Sequence, residues 1–240
     1  MEHYGFFCIL GDKYWLSEKM KNKAQLLPFL FVVMVYLVAM FFGFDTVKLF
    51  FKPLIVGSLL LYFVIETKNK FVRFRLWMIL AMVYCMAGDT FLMFDSRDEL
   101  FFILGLVSFL VGHVFYILVF KRIANDKFIS FHILKTILVI AYVTVLLYLL
   151  IPRANTLWLP VVLYSLVIGT MLVFAFHLTK IGRIGWLITA GAFLFVISDS
   201  VIALNKFYVS IPLDSWIVMI TYIAAQFLIV YGVAKYILQR

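Results

Sequence analysis

Two short motifs place acid in segments that are otherwise almost wholly apolar: Gly88-Asp89-Thr90 and Ser198-Asp199-Ser200, 110 positions apart. A carboxylate in hydrocarbon costs about 2.5–3.5 kcal/mol on insertion scales, so an intramembrane Asp reads first as a functional group. The flanks match too, Gly-Asp-Thr-Phe-Leu-Met-Phe-Asp over 88–95 against Ser-Asp-Ser-Val-Ile-Ala-Leu-Asn over 198–205. A carboxylate pair suits general acid–base chemistry or proton coupling. Apolar surroundings hold one carboxyl protonated while its neighbour stays ionised.

Other polar residues join the same embedded set. Lys52, before Pro53, opens the second apolar segment on the outer side. Its ammonium could pair with a carboxylate or hold a phosphate, or simply snorkel to the interface. In Gly112-His113-Val114-Phe115-Tyr116, His113 lies deeper than either Asp, with Tyr116 one turn away. A lone intramembrane His is more often structural than catalytic, so the pair is expected to orient a neighbour or line a cavity floor. Tyr222 and Gln226, at i,i+4, face the same way and suit interhelical hydrogen bonding. Asn205 and Lys206 follow the seventh apolar segment at its mouth, as Asp95 follows the third. Tyr164 and Thr170 are ambiguous. Glu66 reads as a solvated end charge, and His3, His132 and His177 fall near the inner surface, away from chemistry.

The elements that position these groups are membrane helices. The chain is 66% hydrophobic with mean hydropathy +1.10, far too apolar for a soluble domain. Its 240 residues have room for about eight spans of ~20 residues. Apolar segments run over 28–44, 47–65, 76–94, 100–120, 132–151, 157–178, 184–203 and 214–236. Residues 1–27 mix aromatics with Lys13, Lys19, Lys21 and Lys23, a cytoplasmic or interfacial lead-in rather than a signal peptide. Residues 28–240 form one polytopic domain, since every connection is short. With the amino terminus inside, 16 Lys and Arg fall on the inner side against 5 outside, so both termini are expected in the cytoplasm. The net charge of +9 thus encodes topology and contact with anionic membrane lipid, not nucleic-acid binding. The expected location is a bacterial cytoplasmic membrane.

The matched Asp motifs imply that spans one to four and five to eight are parallel repeats. At ~1.5 Å per residue, both carboxylates fall roughly 6–8 Å below the outer boundary. Helices packed 8–10 Å apart could bring both to one small group or water.

Several chemistries drop out. Cys8 and Cys85 make neither a disulfide framework nor a zinc site, and one deep His with two Asp is a thin ligand set for any metal. No Gly-x-Ser-x-Gly elbow, Gly-rich phosphate loop or buried seventh-span Lys is present, which sets aside a serine lipase, a nucleotide site and a retinal Schiff base. No cofactor is implied.

The same residues resemble the YhhN-like membrane family. The matching pieces are Lys52-Pro53-Leu54, Gly88-Asp89 with Leu92, and Phe109 through Gly112-His113 to Tyr116. They continue with Gly191-Ala192 through Phe195-Val196-Ile197-Ser198-Asp199 to Asn205, then Tyr222 with Gln226. The resemblance covers spans two to eight and implies an eight-helix lysoplasmalogenase. Such an enzyme cleaves the vinyl-ether bond of a lysophospholipid, giving a fatty aldehyde and glycerophosphoethanolamine or glycerophosphocholine. The carboxylate pair fits that chemistry, with Asp89 as general acid and Asp199 as base or cation stabiliser. Lys52 or Lys206 would hold the phosphate.

Two other classes compete. Paired intramembrane carboxylates within a repeat also occur in proton- or ion-coupled transporters. Against transport, no mid-span break is evident: Pro28, Pro152 and Pro160 lie near span ends and Pro53 in a first turn. A non-catalytic scaffold would use the Asp residues as buried glue. A vestibule closed at its inner end separates the enzyme from the transporter.

Overall fold

Apolar runs of this length satisfy their backbone groups in a bilayer only as helices. The computed structural model describes residues 24–95, 97–129 and 133–240, and the regular structure there is all helical. Eight α-helices follow in order: α1 Leu27–Phe42, α2 Asp45–Glu66, α3 Phe74–Leu92, α4 Glu99–Asp126, α5 Ile133–Leu150, α6 Trp158–Leu178, α7 Arg183–Phe207 and α8 Asp214–Leu238. Seven are long and apolar enough to cross a membrane; α1, with 16 residues, is shorter. Large side chains such as Phe31, Met34, Leu138, Leu166 and Trp186 lie exposed on the bundle's outside, where lipid would cover them. The protein is a multi-pass integral membrane protein. Cys8, the four amino-terminal lysines, His3 and His132 lie outside the described residues.

Local chemistry sets the helix limits. Gly43, at φ 73°, closes α1 in the left-handed conformation and returns its N–H to the Ala39 carbonyl. Asp98 caps α4, its side chain accepting from the Leu100 N–H at 2.9 Å. An early start for α2 is favoured by Asp45 in its first turn, where the helix dipole stabilises negative charge. Pro53 therefore lies inside α2 rather than in a first turn, and it deprives the carbonyl four residues earlier of its N–H.

Packing repeats from one half to the other. The neighbours α1–α2, α2–α3 and α3–α4 recur as α5–α6, α6–α7 and α7–α8, and the cross-contact α2–α8 recurs as α4–α6. This is the pattern of two four-helix units related by a two-fold axis along the bundle. Tyr116 and Gln226, themselves 110 positions apart, meet in a 2.7 Å hydrogen bond. Equivalent positions meet where such an axis passes. Glycines let helices approach within each half: a Cβ on Gly112 would stand 3.1 Å from the Ala81 carbonyl oxygen of α3. One on Gly191 would stand 2.8 Å from the Ala225 oxygen of α8.

We call outer the end assigned by the Lys and Arg count. The core of the inner half is filled by Tyr62, Phe63, Phe74, Met78, Phe120 and Ile123, all fully buried. A groove of about 490 Å³ opens at the inner surface among Lys70, Arg73, Arg122 and Arg240.

Candidate active site

Asp89 projects from the last turn of α3 and is only 2% exposed. The Tyr222 hydroxyl of α8 donates to its Oδ2 at 2.6 Å. Gln226 Nε2 donates to that hydroxyl at 3.3 Å, and Tyr116 donates to Gln226 Oε1. One hydrogen-bonded chain thus runs from the axis to the carboxylate.

Asp199, on α7, has a different shell. It accepts a short hydrogen bond from the Tyr164 hydroxyl of α6. His113 Nε2 of α4 stands 4.0 Å from Asp199 Oδ2. The imidazole is fully buried, and neither ring nitrogen has a hydrogen-bond partner among the described residues. Buried polar atoms without partners are rare and mark places where a protein does something besides pack. The ring is held edgewise against Phe195 and Tyr164, with centroids at 4.6 and 5.5 Å.

An aromatic wall joins the two carboxylates. Phe109 and Phe195 meet at 6.2 Å, and both contact Tyr222, at 6.0 and 5.3 Å. Asp89 and Asp199 interact electrostatically across it. The nearby small hydroxyls are bonded elsewhere: Thr90 donates to the Met86 carbonyl, Ser198 to that of Val218 and Ser200 to that of Val196, and Ser200 also meets the Tyr142 hydroxyl at 2.6 Å. The two Asp differ in distance from their helix ends. α3 stops at Leu92, about 5 Å beyond Asp89, whereas α7 runs to Phe207, about 12 Å beyond Asp199.

Two cavities approach the wall from the outer end. A narrow apolar one of about 50 Å³ is lined by Asp199, Tyr164, Phe109 and Val161. Above it lies a polar vestibule of about 820 Å³ whose walls include Lys52, Asp95, Asn205 and Lys206. Leu92, Phe102 and Ile202 border both.

The sequence-predicted residues thus fall into groups. Asp89, Tyr222, Gln226 and Tyr116 form the axial network, and Asp199 and His113 form the second centre. Lys52 and Lys206 line the vestibule, and Lys52 interacts electrostatically with Asp89. Asn205 reaches the vestibule but is committed to the α7–α8 turn, donating to Asp214 at 2.8 Å and accepting from the Ile211 N–H at 3.0 Å. Thr170 is exposed and, among the described residues, bonds only the Leu166 carbonyl. Tyr164 is the neighbour of Asp199 that spacing misses: its partner lies 35 residues away on another helix. Among the described residues no group of three or more His, Cys, Asp or Glu could hold a metal ion.

The YhhN family model matches residues 47–233. The chain belongs to the YhhN family. Human lysoplasmalogenase TMEM86A is 34% identical over 155 residues, covering 62% of this chain and 61% of the relative. Mouse lysoplasmalogenase TMEM86B is 33% identical over 155 residues, covering 64% and 62%. The matched part thus spans about three fifths of these relatives' length. No solved structure matches. Every side chain of the site, from Lys52 to Gln226, falls inside the span matched by the YhhN family, and α1 falls outside it.

Proposed function

We propose that this protein hydrolyses the vinyl-ether bond of a lysoplasmalogen. One observation carries the reading: two aspartates are each hydrogen-bonded to a tyrosine and joined by an aromatic wall, and one of them, Asp199, lines an apolar cavity that adjoins a polar vestibule. An amphiphile fits that division, with its headgroup in the vestibule and the start of its tail against Asp199. The names of the YhhN relatives support the same substrate. The filled inner half supports an enzyme rather than a path across the membrane.

The chemistry balances with water alone. A proton goes to the second alkenyl carbon and leaves an oxocarbenium ion at the first. Water adds to that carbon, and the hemiacetal collapses to a fatty aldehyde and the free glycerol hydroxyl. General acid–base groups contribute about 10²–10⁴ to such a step. The proton must reach a carbon of the tail, and only Asp199 lines the apolar cavity. That favours Asp199 as proton donor and Asp89, near Lys52, as stabiliser of the cation and base for water. This is the reverse of the order expected from sequence. His113 is positioned to hold the attacking water or to orient Asp199. The Lys and Arg asymmetry supports a site open to the outer face of a bacterial cytoplasmic membrane.

Purified protein is expected to release aldehyde from 1-alkenyl lysophosphatidylethanolamine but not from its saturated-ether analogue. In heavy water the aldehyde should carry one deuterium beside its carbonyl. Aldehyde without that label would exclude carbon protonation, and no release from folded protein would exclude the reaction.

A further inference from the structure

The vestibule walls carry seven charged side chains, and most are already engaged. Asp45 and Lys48 pair at 2.6 Å. Asp214 accepts from Asn205 at 2.8 Å and Ser215 at 3.3 Å. The Arg97 guanidinium lies over the Phe94 ring at 4.9 Å, and Lys206 Nζ over Phe102 at 4.8 Å. Two remain. Lys52 and Asp95 make neither a hydrogen bond nor an ion pair among the described residues. Among the described residues the cavity therefore presents to whatever enters it one cation, Lys52, whose charge also acts on Asp89, and one anion, Asp95, neither of them hydrogen-bonded.

That combination complements a zwitterion. A phosphate diester accepts from an ammonium such as that of Lys52, and a primary ammonium donates to a carboxylate in a charge-assisted hydrogen bond. A trimethylammonium has no N–H to donate and is recognised instead by open aromatic faces. Three rings line the vestibule, Phe94, Phe102 and Tyr36. Arg97 and Lys206 already cover the first two, and Tyr36 is only 5% exposed. Phe102 is itself only 3% exposed. Among the described residues the half-buried Phe94, shared with Arg97, is thus the one vestibule ring a quaternary ammonium could meet, too little for an aromatic cage.

We propose that the vestibule selects phosphoethanolamine over phosphocholine headgroups, with Lys52 on the phosphate and Asp95 on the primary ammonium. The inference rests on the lysophospholipid reading of the site, but binding tests it apart from the reaction. The probes are saturated 1-O-alkyl lysophosphatidylethanolamine and its choline and glycerol counterparts, which contain no vinyl ether. Their affinities for the detergent-purified protein are compared by native mass spectrometry. The ethanolamine lipid is expected to bind about tenfold tighter than the choline lipid, the scale of one hydrogen bond to a charged group. The anionic glycerol lipid should bind as weakly as the choline lipid. Asp95→Asn should level the ethanolamine and choline affinities to within about twofold, and Asp95→Glu should restore the preference. Equal ethanolamine and choline affinities in the parent would overturn the proposal. So would a glycerol lipid that binds as tightly as the ethanolamine lipid, or a preference that survives in a monodisperse Asp95→Asn variant. Selective binding without aldehyde release would uphold the headgroup site and reject the reaction; release without selectivity would do the reverse.

Discussion

The amino-terminal and carboxy-terminal four-helix halves pack through corresponding helix pairs, and each holds its Asp on its third helix. Their surroundings diverge. Asp89 ends a hydrogen-bonded chain from Tyr116 through Gln226 and Tyr222, all deeply buried. Among the described residues Asp199 has Tyr164 as its one hydrogen-bond partner, a histidine whose nitrogens are unbonded, and a cavity beside it. A repeated frame delivers two carboxylates to related places, and unequal partners then surround them. A symmetric carboxyl dyad divides acid from base only by which member holds the shared proton, whereas unequal surroundings would fix that choice in advance.

The comparison breaks most readily at the carboxylates. Asp89→Asn and Asp199→Asn should each lower aldehyde release by about 10²–10⁴ while the helical circular dichroism stays that of the parent. If either variant keeps a tenth of parental activity, the site does not need both halves.

The tyrosines sharpen it. Tyr164→Phe should cut turnover by about tenfold with little loss of thermal stability, since it frees Asp199 at a cavity. Tyr222→Phe should destabilise by about 1–3 kcal/mol, because Gln226 and Asp89 both lose a partner in a buried network. Equal effects on melting temperature would erase the distinction between a working centre and an anchored one.

The glycines test the frame itself. A Cβ on Gly191 meets backbone, 2.8 Å from the Ala225 oxygen and 2.9 Å from the Ile229 nitrogen, which cannot easily give way. On Gly112 the nearest atoms stand at 3.1 Å. Gly191→Ala should therefore lower stability by about 1–3 kcal/mol and Gly112→Ala by less, read from melting in detergent. Tyr116→Phe should have the smallest effect, about 0.6 kcal/mol, the average found for hydrogen bonds between membrane helices.

Much of this was legible in the sequence because charge is scarce in hydrocarbon. Asp89 and Asp199 stand out for that reason, and Tyr222 with Gln226 reads as a polar pair on one helix face, as the hydrogen bonds bear out. The apolar runs gave the eight helices. Which side chains meet across helices was not legible, because lipid-facing and core-facing surfaces are both apolar and helix rotation leaves little trace in hydropathy. Tyr164 was hidden this way, and so was the approach of His113 to Asp199. The ends of α2 and α7 were misjudged for a related reason. Asp45, Asn205 and Lys206 look like the mouths of spans, yet α2 already includes Asp45 and α7 continues past Lys206.

The hydrogen bond between Tyr116 and Gln226 shows what a single chain allows at the centre of a repeat. In a homodimer of identical four-helix chains, a position on the symmetry axis faces its own copy, so tyrosine must meet tyrosine or glutamine must meet glutamine. Joining both units in one polypeptide removes that constraint. A hydroxyl donor can then sit opposite a carbonyl acceptor at the same repeat position, and duplicated halves become free to specialise from their shared centre outward.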